Sequence, residues 1–277
     1  MRDNLAALIK DRALTTYKRR LRTDPDLRKL GAATRGADAA YRDAAAFAIR
    51  AGELAGESLQ TVLAAGADED WLDVDQAGAI MDPVLQELWR QASAAAARVQ
   101  TGLNRAAGFG LSGLVPPLNL RRAQNMAKKL ASYASYDEAS WMLGEPIVTY
   151  AQNVVDDCVR VNAAAQSMAG LSPIIERLTD NEDCAWCAQH AGRFGYPSPP
   201  GVFERHRKCR CLVQLVTVKS ARPDAETTRL YREAEAAQRA RRIERINKEL
   251  YRINGKGPDR TADADLYDDP ALSQEPV

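Results

Sequence analysis

Residues 179–220 read TDNEDCAWCAQHAGRFGYPSPPGVFERHRKCRCLVQLVTVKS, and their composition differs from that of the rest of the chain. Gly, Pro and aromatic residues are frequent here, which favours turns over long helices. The run Leu212–Val218, LVQLVTV, is the best strand candidate, because Val and Thr are favoured on the pleated surface of a sheet. The segment predicts a small α+β module of turns and short strands.

The remainder of the chain is predicted to be helical. Ala, Leu, Arg and Glu dominate from residue 1 to about residue 105, and strong helix formers are informative when they are summed over long windows. Combinations of Gly or Pro with a capping residue predict helix breaks, among them Thr23–Pro25 and Asp82-Pro83. The predicted fold class is mainly α: an Ala-rich helical N-terminal and middle region, a small C-terminal Cys/His module and a long C-terminal helix.

Changes of composition divide the chain into six predicted regions. A Gly- and Pro-rich segment, AGFGLSGLVPPL, separates two helical blocks, and the residues after the module return to a helical pattern before an acidic tail. The regions are 1–106 (N-terminal helical), 107–118 (Gly/Pro linker), 119–178 (second helical), 179–220 (Cys/His module), 221–254 (basic amphipathic helix) and 255–277 (flexible acidic tail).

Four of the five cysteines and both histidines lie between residues 184 and 211. The four cysteines and His206 form the pattern C-x2-C, then eighteen residues, then H-x2-C-x-C. Tetrahedral zinc takes four N or S ligands, commonly as two short pairs that the fold brings together. The sequence therefore predicts a structural zinc ion, with five candidates for four positions: Cys184, Cys187, His206, Cys209 and Cys211.

Other interpretations of these residues stay open at this point. A closed site with four protein ligands leaves no coordination position for water, so the spacing argues against metal catalysis. The cysteines are also compatible with a thiol redox pair at Cys184 and Cys187, or with buried or disulfide-bonded cysteines that hold no metal. His190 is a weaker sixth ligand candidate. Cys158 falls on the apolar face of a predicted helix and is interpreted as a small buried residue.

Composition and motifs argue against several classes of function. The formal net charge is +1, so the chain is not a polycation that binds nucleic acid or membranes by bulk charge. The first residues lack the apolar core of a secretory signal, and no segment is apolar over the roughly 20 residues of a membrane span. Phosphate-loop, esterase-type nucleophile and zinc-protease motifs are absent from the sequence. We therefore expect no enzymatic activity, no small-molecule substrate, no export and no membrane contact.

The Cys/His motif resembles the C-terminal module of the phage Mu F-like minor head proteins, also called head morphogenesis proteins. The matching residues are Asn181–Cys187 (NEDCAWC), Gly192–Phe194, Pro197–Pro200 and His206–Cys211 (HRKCRC). Members of that family usually carry Pro and Asn between the His and the next Cys, where this chain has Arg207 and Lys208.

The resemblance implies a low-copy minor capsid protein that joins the head during assembly in the host cytoplasm. It would stay in the virion, in the head interior or at the portal vertex. The partners that it implies are the portal protein, the major capsid protein or both, and basic helices near packaged DNA suit phosphate contacts without sequence preference. Two alternatives come from other classes: a zinc-stabilised nucleic-acid-binding protein, and a thiol oxidoreductase that uses Cys184 and Cys187.

Overall fold

A computed structural model describes residues 2–65, 72–108, 111–179 and 184–216, and five single positions between residues 229 and 244. Apart from those five positions, the predicted basic helix at 221–254 and the predicted acidic tail at 255–277 lie outside the described residues. The described elements are α1 (Arg2–Thr23), α2 (Pro25–Ala33), α3 (Tyr41–Ala64), α4 (Val74–Ala106), α5 (Leu120–Ala131), α6 (Tyr136–Ala139), a 3-10 turn (Ser140–Leu143), α7 (Glu145–Met168), β1 (Ile174–Leu178), α8 (Ala185–Gln189), β2 (Gly192–Gly195), a second 3-10 turn (Pro200–Phe203) and β3 (Leu212–Val216).

The fold class predicted from the sequence is confirmed for the described residues. They are mainly helical, with a small three-stranded antiparallel sheet and a cluster of Cys and His side chains in the C-terminal part. Helices α1–α7, here called the helical body, share one hydrophobic core with the buried face of the sheet.

Helix α3 lies at the centre of the helical body and packs against α1, α4 and α7. Its buried face is rich in small residues, which bring neighbouring backbones close together. A Cβ atom built on Gly52 would lie 3.0 Å from the Cα atom of Val148 in α7. A Cβ atom on Gly56 would overlap the carbonyl oxygen of Leu143. The approach of α3 to the chain before α7 therefore depends on glycine at position 56.

Side-chain caps begin two of these helices where the sequence places an acidic residue. The Leu27 N–H donates to Asp24 Oδ1 at 2.7 Å, directly before Pro25 at the first position of α2. Arg50 of α3 binds the same carboxylate, with Nη2 2.7 Å from Oδ2, and holds the pKa of Asp24 below its usual value. Asp73 and Gln76 form a reciprocal capping box at the start of α4.

The predicted helix break at Asp82-Pro83 is wrong, because α4 continues through Pro83. Proline costs a helix one backbone hydrogen bond and some steric strain. Apolar side chains lie on both sides of it: Ile80, Met81, Val84 and Leu85 are all fully buried in the core. Burial of this stripe outweighs the local cost, since each such side chain contributes roughly 1.5–3 kcal/mol.

The segment predicted as a linker packs on the helical body and does not divide it. Residues 111–119 have no regular secondary structure, and Leu111 and Leu114 are largely buried. Asn162 of α7 holds this segment through both sides of its amide: Leu114 N–H donates to Oδ1 at 2.8 Å, and Nδ2 donates to the Leu114 carbonyl at 3.0 Å. The helices before and after the segment therefore share one core.

The sheet has the order β2-β1-β3, with both pairs antiparallel and β1 in the middle. Successive side chains alternate between its faces. On the exposed face, Glu176 accepts from Arg193 and from Gln214 at 2.7 Å each. On the other face, Ile175, Val213 and Leu215 are buried and belong to the main core. The positively charged Arg177 is buried on the same face.

The sheet begins earlier than the sequence-based boundary at residue 179. Strand β1 lies in the last five residues of the range predicted as helical, 119–178. Gly170 adopts a φ of 81° directly after α7 and ends that helix, so the chain can extend. The paired Ile174 and Ile175 then form the central strand that β2 and β3 require as a partner.

We predict that Gly56→Ala destabilises the protein by about 1–3 kcal/mol, because the added methyl group forces a backbone shift between α3 and Leu143. Chemical denaturation of both proteins measures this difference. Gly102→Ala is the matched control, since Gly102 lies in α4 with nothing within 4 Å of the added Cβ atom. That control should gain about 0.5–1 kcal/mol from helix propensity. Equal effects of the two substitutions would contradict the close approach.

Candidate metal centre

The structure brings all five predicted ligand residues together in one place, here called the Cys/His cluster: Cys184, Cys187, His206, Cys209 and Cys211. Their ligand atoms form two groups, each within 4.8 Å: Cys184, Cys187 and His206 in one, and Cys187, Cys209 and Cys211 in the other. Cys187 belongs to both groups. All five cysteines of the chain are free thiols, so the disulfide interpretation does not describe this structure.

The C-x2-C segment forms the first turn of the short helix α8. Cys184 is the residue before the helix, and its Sγ accepts from the Cys187 N–H at 3.4 Å. A sulfur atom thus takes the role that a Ser or Asp oxygen usually has at a helix start. Because Cys187 is three residues further on, one helical turn places its side chain on the same side. Local geometry therefore points both sulfur atoms towards His206.

His206 presents one ring nitrogen to the C-x2-C pair. Its Nε2 lies 3.3 Å from Cys184 Sγ and 2.9 Å from Cys187 Sγ. Its Nδ1 lies 2.7 Å from the carbonyl oxygen of Arg207, and this contact requires the ring proton on Nδ1. In that tautomer Nε2 carries a free lone pair, as a metal-binding imidazole nitrogen does.

A tight turn connects His206 to Cys209. The Cys209 N–H donates to the His206 carbonyl at 3.2 Å, and Lys208 adopts a φ of 61° within the turn. Asn enters this left-handed region more readily than Lys does. Lys208 stands where the phage head proteins that the motif resembles usually have Asn, so the chain forms the turn with a less favourable residue.

The donor set and its surroundings fit a metal ion. Cys187, Cys209 and Cys211 are each only 1% exposed, while Cys184 and His206 are half-buried. Burial, together with hydrogen bonds that the Cys187 thiol donates to Cys211 and Cys184, raises the pKa of this thiol. A buried thiol that packs against other thiols resists ionisation, whereas a bound cation would stabilise it as a thiolate. The Cys/His cluster could therefore hold a metal ion.

A cleft of about 800 Å³ opens beside the cluster and supplies a path for an ion from solvent. Its lining includes His206 and Trp186 together with Arg122 and Arg160 of the helical body. Trp186 makes an edge contact with the His206 ring, with centroids 5.3 Å apart. This contact holds the imidazole between the cleft and the two sulfur atoms.

A buried ion pair connects the cluster to the helical body. Arg205, adjacent to His206, binds Asp156 of α7 with two parallel contacts, Nε to Oδ2 at 2.6 Å and Nη2 to Oδ1 at 2.8 Å. The two side chains are only 3% and 2% exposed. Arg205 Nη1 also donates to the Cys211 carbonyl at 2.9 Å. One guanidinium therefore joins α7 to the two ends of the H-x2-C-x-C segment.

Arg177 of β1 is a second arginine against the cluster, and its side chain is 1% exposed. Its Nη1 donates to the carbonyls of Val202 at 2.8 Å and Glu204 at 2.6 Å, which fixes the chain that leads to His206. Its Nη2 lies 3.6 Å from Cys209 Sγ. The guanidinium also faces the Trp186 ring, with Cζ 5.1 Å from the centroid.

Two remaining sequence interpretations concern residues near but outside the cluster. His190, the sixth candidate, stacks on Trp186 with ring centroids 4.2 Å apart and is in neither ligand group. Cys158 is fully buried in α7 and its Sγ contacts the Ser93 carbonyl at 3.8 Å, so its interpretation as a core residue is confirmed. Burial raises the pKa of the Cys158 thiol well above its usual value.

Sequence reasoning missed the charged residues around the cluster: Arg177, Arg205 and Asp156. The available signals were an arginine at an inward position of the strand I-I-E-R-L and an arginine directly before the histidine. The sequence around Asp156 gave no indication of its role, because its partner Arg205 is 49 positions away in the chain.

Comparison with known proteins gave no match to a family model, a curated protein or a solved structure. In the described part of the chain, no helix combines the length and apolar character that crossing a bilayer requires.

We predict that Asp156→Asn destabilises the protein by about 3–5 kcal/mol, because it leaves the buried Arg205 charge without its partner. Urea denaturation measures the difference. Arg193→Gln is the control: it breaks the Arg193–Glu176 pair, in which Arg193 is 66% exposed. Exposed pairs contribute about 0–1 kcal/mol. A loss from Asp156→Asn no larger than that of the control would show that the buried pair does not hold the cluster to α7.

Proposed function

We propose that the protein is a phage minor capsid or head morphogenesis protein whose Cys/His cluster holds one structural zinc ion. The observation that carries the proposal is the convergence, in one place, of all five Cys and His residues of the motif that resembles phage Mu F-like head proteins. In this proposal the protein is a virion component of the head interior or portal vertex, assembled in the host cytoplasm.

Zinc is the proposed ion because the cluster offers only sulfur and nitrogen donors. Zinc prefers a tetrahedral set of thiolates and imidazole, whereas magnesium and calcium require oxygen ligands. Four protein ligands would fill the coordination sphere, which suits a structural role and not catalysis. We therefore propose no enzymatic activity and no small-molecule substrate.

The sheet around the cluster is small enough to need such support. Its three strands have five, four and five residues, and a structure of this size buries little apolar surface of its own. Structural zinc contributes on the order of 10–16 kcal/mol to the folding of small peptide modules. The ion would thus stabilise the C-terminal part in addition to the core that its sheet shares with the helical body.

The proposed partners are the portal protein, the major capsid protein or both, with double-stranded DNA as a contact without sequence preference. Helix α5 supports a DNA contact: it carries Arg121, Arg122, Lys128 and Lys129 and no acidic residue. Of these four, only Arg122 has an ion pair with a carboxylate in the described part of the chain, with Asp157 at 3.1 Å. Arg121 and Lys128 are exposed and face solvent, where phosphates could reach them.

The same helix supports the alternative of a zinc-stabilised nucleic-acid-binding protein. The two functions differ in what they require of DNA. A regulator needs selective contacts to base edges, whereas a head protein needs only the phosphate backbone. A thiol oxidoreductase is the weakest alternative, because burial raises the pKa of Cys187 and a reactive thiol needs the opposite shift.

We predict one zinc ion per chain in the purified protein and none in Cys187→Ser, because Cys187 belongs to both ligand groups. Native mass spectrometry measures the ion, and limited proteolysis should show new cleavage within residues 184–216 of the variant. Cys158→Ala is the control and should keep its zinc, since that thiol lies outside the cluster. A wild-type chain without metal, or a Cys187→Ser chain that keeps it, would sink the structural-zinc proposal.

We also predict that mass spectrometry of purified phage particles finds this chain in DNA-filled heads, at far fewer copies than the major capsid protein. Its binding to short duplex DNA should be independent of sequence and should weaken steeply with salt. Absence from particles, combined with selective binding of one short duplex, would instead favour the nucleic-acid-binding alternative.

A further inference from the structure

The Cys/His cluster has five candidate ligands for a tetrahedral ion, and charges around it distinguish among them. This inference rests on the proposed structural zinc. It concerns the identity of the four ligands and the group that balances their charge, neither of which follows from the spacing of the motif.

The first step concerns the buried positive charge of Arg177. It is a cation at the end of a side chain that is 1% exposed, on the buried face of the central strand. Its partners in the described part of the chain are the Gly201, Val202 and Glu204 carbonyls, the Trp186 ring and the Cys209 sulfur. None of these is a carboxylate. A buried charge without a counter-charge costs several kcal/mol, so an anion is expected in contact with this guanidinium.

The second step identifies that anion. Among the groups that Arg177 touches in the residues that the structure describes, only the Cys209 sulfur can carry a negative charge, and Nη2 lies 3.6 Å from it. Arg205 Nη1 also approaches the same sulfur, at 3.9 Å. Arg205, however, is already balanced by Asp156. Cys209 therefore fits a metal-bound thiolate that accepts from two guanidinium groups, and a neutral thiol there would leave Arg177 unbalanced.

The third step is the position of His206 relative to the C-x2-C pair. Its Nε2 lies 3.3 Å from Cys184 Sγ and 2.9 Å from Cys187 Sγ, close to the edge of about 3.5 Å in a zinc tetrahedron. Any ion that binds His206 thus binds both of these sulfur atoms. The Cys187 and Cys209 sulfur atoms are 4.0 Å apart, close to the sulfur–sulfur edge of about 3.8 Å that zinc–sulfur bonds of about 2.3 Å imply. Cys211 lies within 4.8 Å of Cys187 as well, and neither Cys209 nor Cys211 joins the 4.8 Å group of Cys184, Cys187 and His206. The contact with Arg177 therefore selects Cys209 as the fourth ligand.

The fourth step is the charge count. Zinc with three thiolates and a neutral imidazole has a net charge of −1, which Arg177 cancels. A fourth thiolate would leave one negative charge uncancelled in a buried place, because Arg205 is neutralised by Asp156.

We propose that Cys184, Cys187, His206 and Cys209 are the four ligands, that Arg177 is the counter-cation of the zinc site, and that Cys211 is a non-ligating cysteine packed beside it. Arg177 then acts through Cys209 as a positioning residue and does not touch the ion.

Cys209→Ser and Cys211→Ser test the ligand set as a matched pair, since both residues are 1% exposed and only two positions apart. Competition with a chromophoric chelator measures zinc affinity of the full-length variants. Cys211→Ser should bind one zinc per chain with nearly wild-type affinity, and Cys209→Ser should bind more than about 100-fold more weakly, since even residues that only support ligands contribute 10–100-fold. Loss of zinc from Cys211→Ser, or retention by Cys209→Ser, overturns the assignment.

Cobalt substitution of the wild-type chain gives a second test that needs no variant. The sulfur-to-cobalt charge-transfer band scales with the number of bound thiolates, and calibrated against model sites it should report three; four would overturn the assignment. A wild-type chain that binds neither zinc nor cobalt would refute the structural-metal proposal itself, which distinguishes the two failures.

Arg177→Lys and Arg177→Gln test the counter-cation. Both variants lose the fork of hydrogen bonds to the Val202 and Glu204 carbonyls, but only Lys keeps the charge. We expect Arg177→Gln to weaken zinc affinity about 10–100-fold and Arg177→Lys to recover most of that loss. Equal weakening in the two variants would mean that Arg177 acts only by holding the backbone, which would overturn its role as counter-cation.

Discussion

The buried pair between Arg205 and Asp156 is the interaction on which the arrangement of the Cys/His cluster depends. Asp156 lies on α7, and eight buried apolar residues of this helix, among them Ile147, Val155 and Val159, belong to the main core, so its position is fixed by helix packing. Arg205 transmits that position to His206, its neighbour in sequence, and to the Cys211 carbonyl. The helical body therefore helps to orient the candidate ligands through Arg205.

Arg177 connects the Cys/His cluster to the sheet, as Arg205 connects it to α7. Its strand is paired on both edges, and its guanidinium fixes the backbone at Val202 and Glu204. Two arginines, one fixed by a helix and one by a strand, thus converge on the sulfur of Cys209. Asp156 neutralises the charge of Arg205, so Arg177 brings the positive charge that would balance a metal-bound thiolate.

The residues of the candidate site could be predicted because ligand spacing is a local property. The C-x2-C and H-x2-C-x-C segments each form within a single turn, so sequence neighbours become spatial neighbours. The charged residues around them could not be predicted, because Asp156 and Arg205 are joined only by the tertiary fold. Helix content was predictable from composition, whereas the continuity of α4 through Pro83 was not, because burial of distant apolar partners outweighs a local penalty. The same reasoning explains β1, which is a strand only because β2 and β3 pair with it.

The core that the sheet and the helical body share limits how this part of the sequence can evolve. A short Cys/His motif such as this one could in principle be exchanged between proteins as a separate segment. Here Ile175, Val213 and Leu215 lie on the underside of the sheet and pack into the same core as α3 and α7. A genetic exchange that replaced only residues 184–216 would remove Val213 and Leu215 from this core and leave Ile175 and the helices without them. The motif and the helices beneath it are therefore constrained to evolve together.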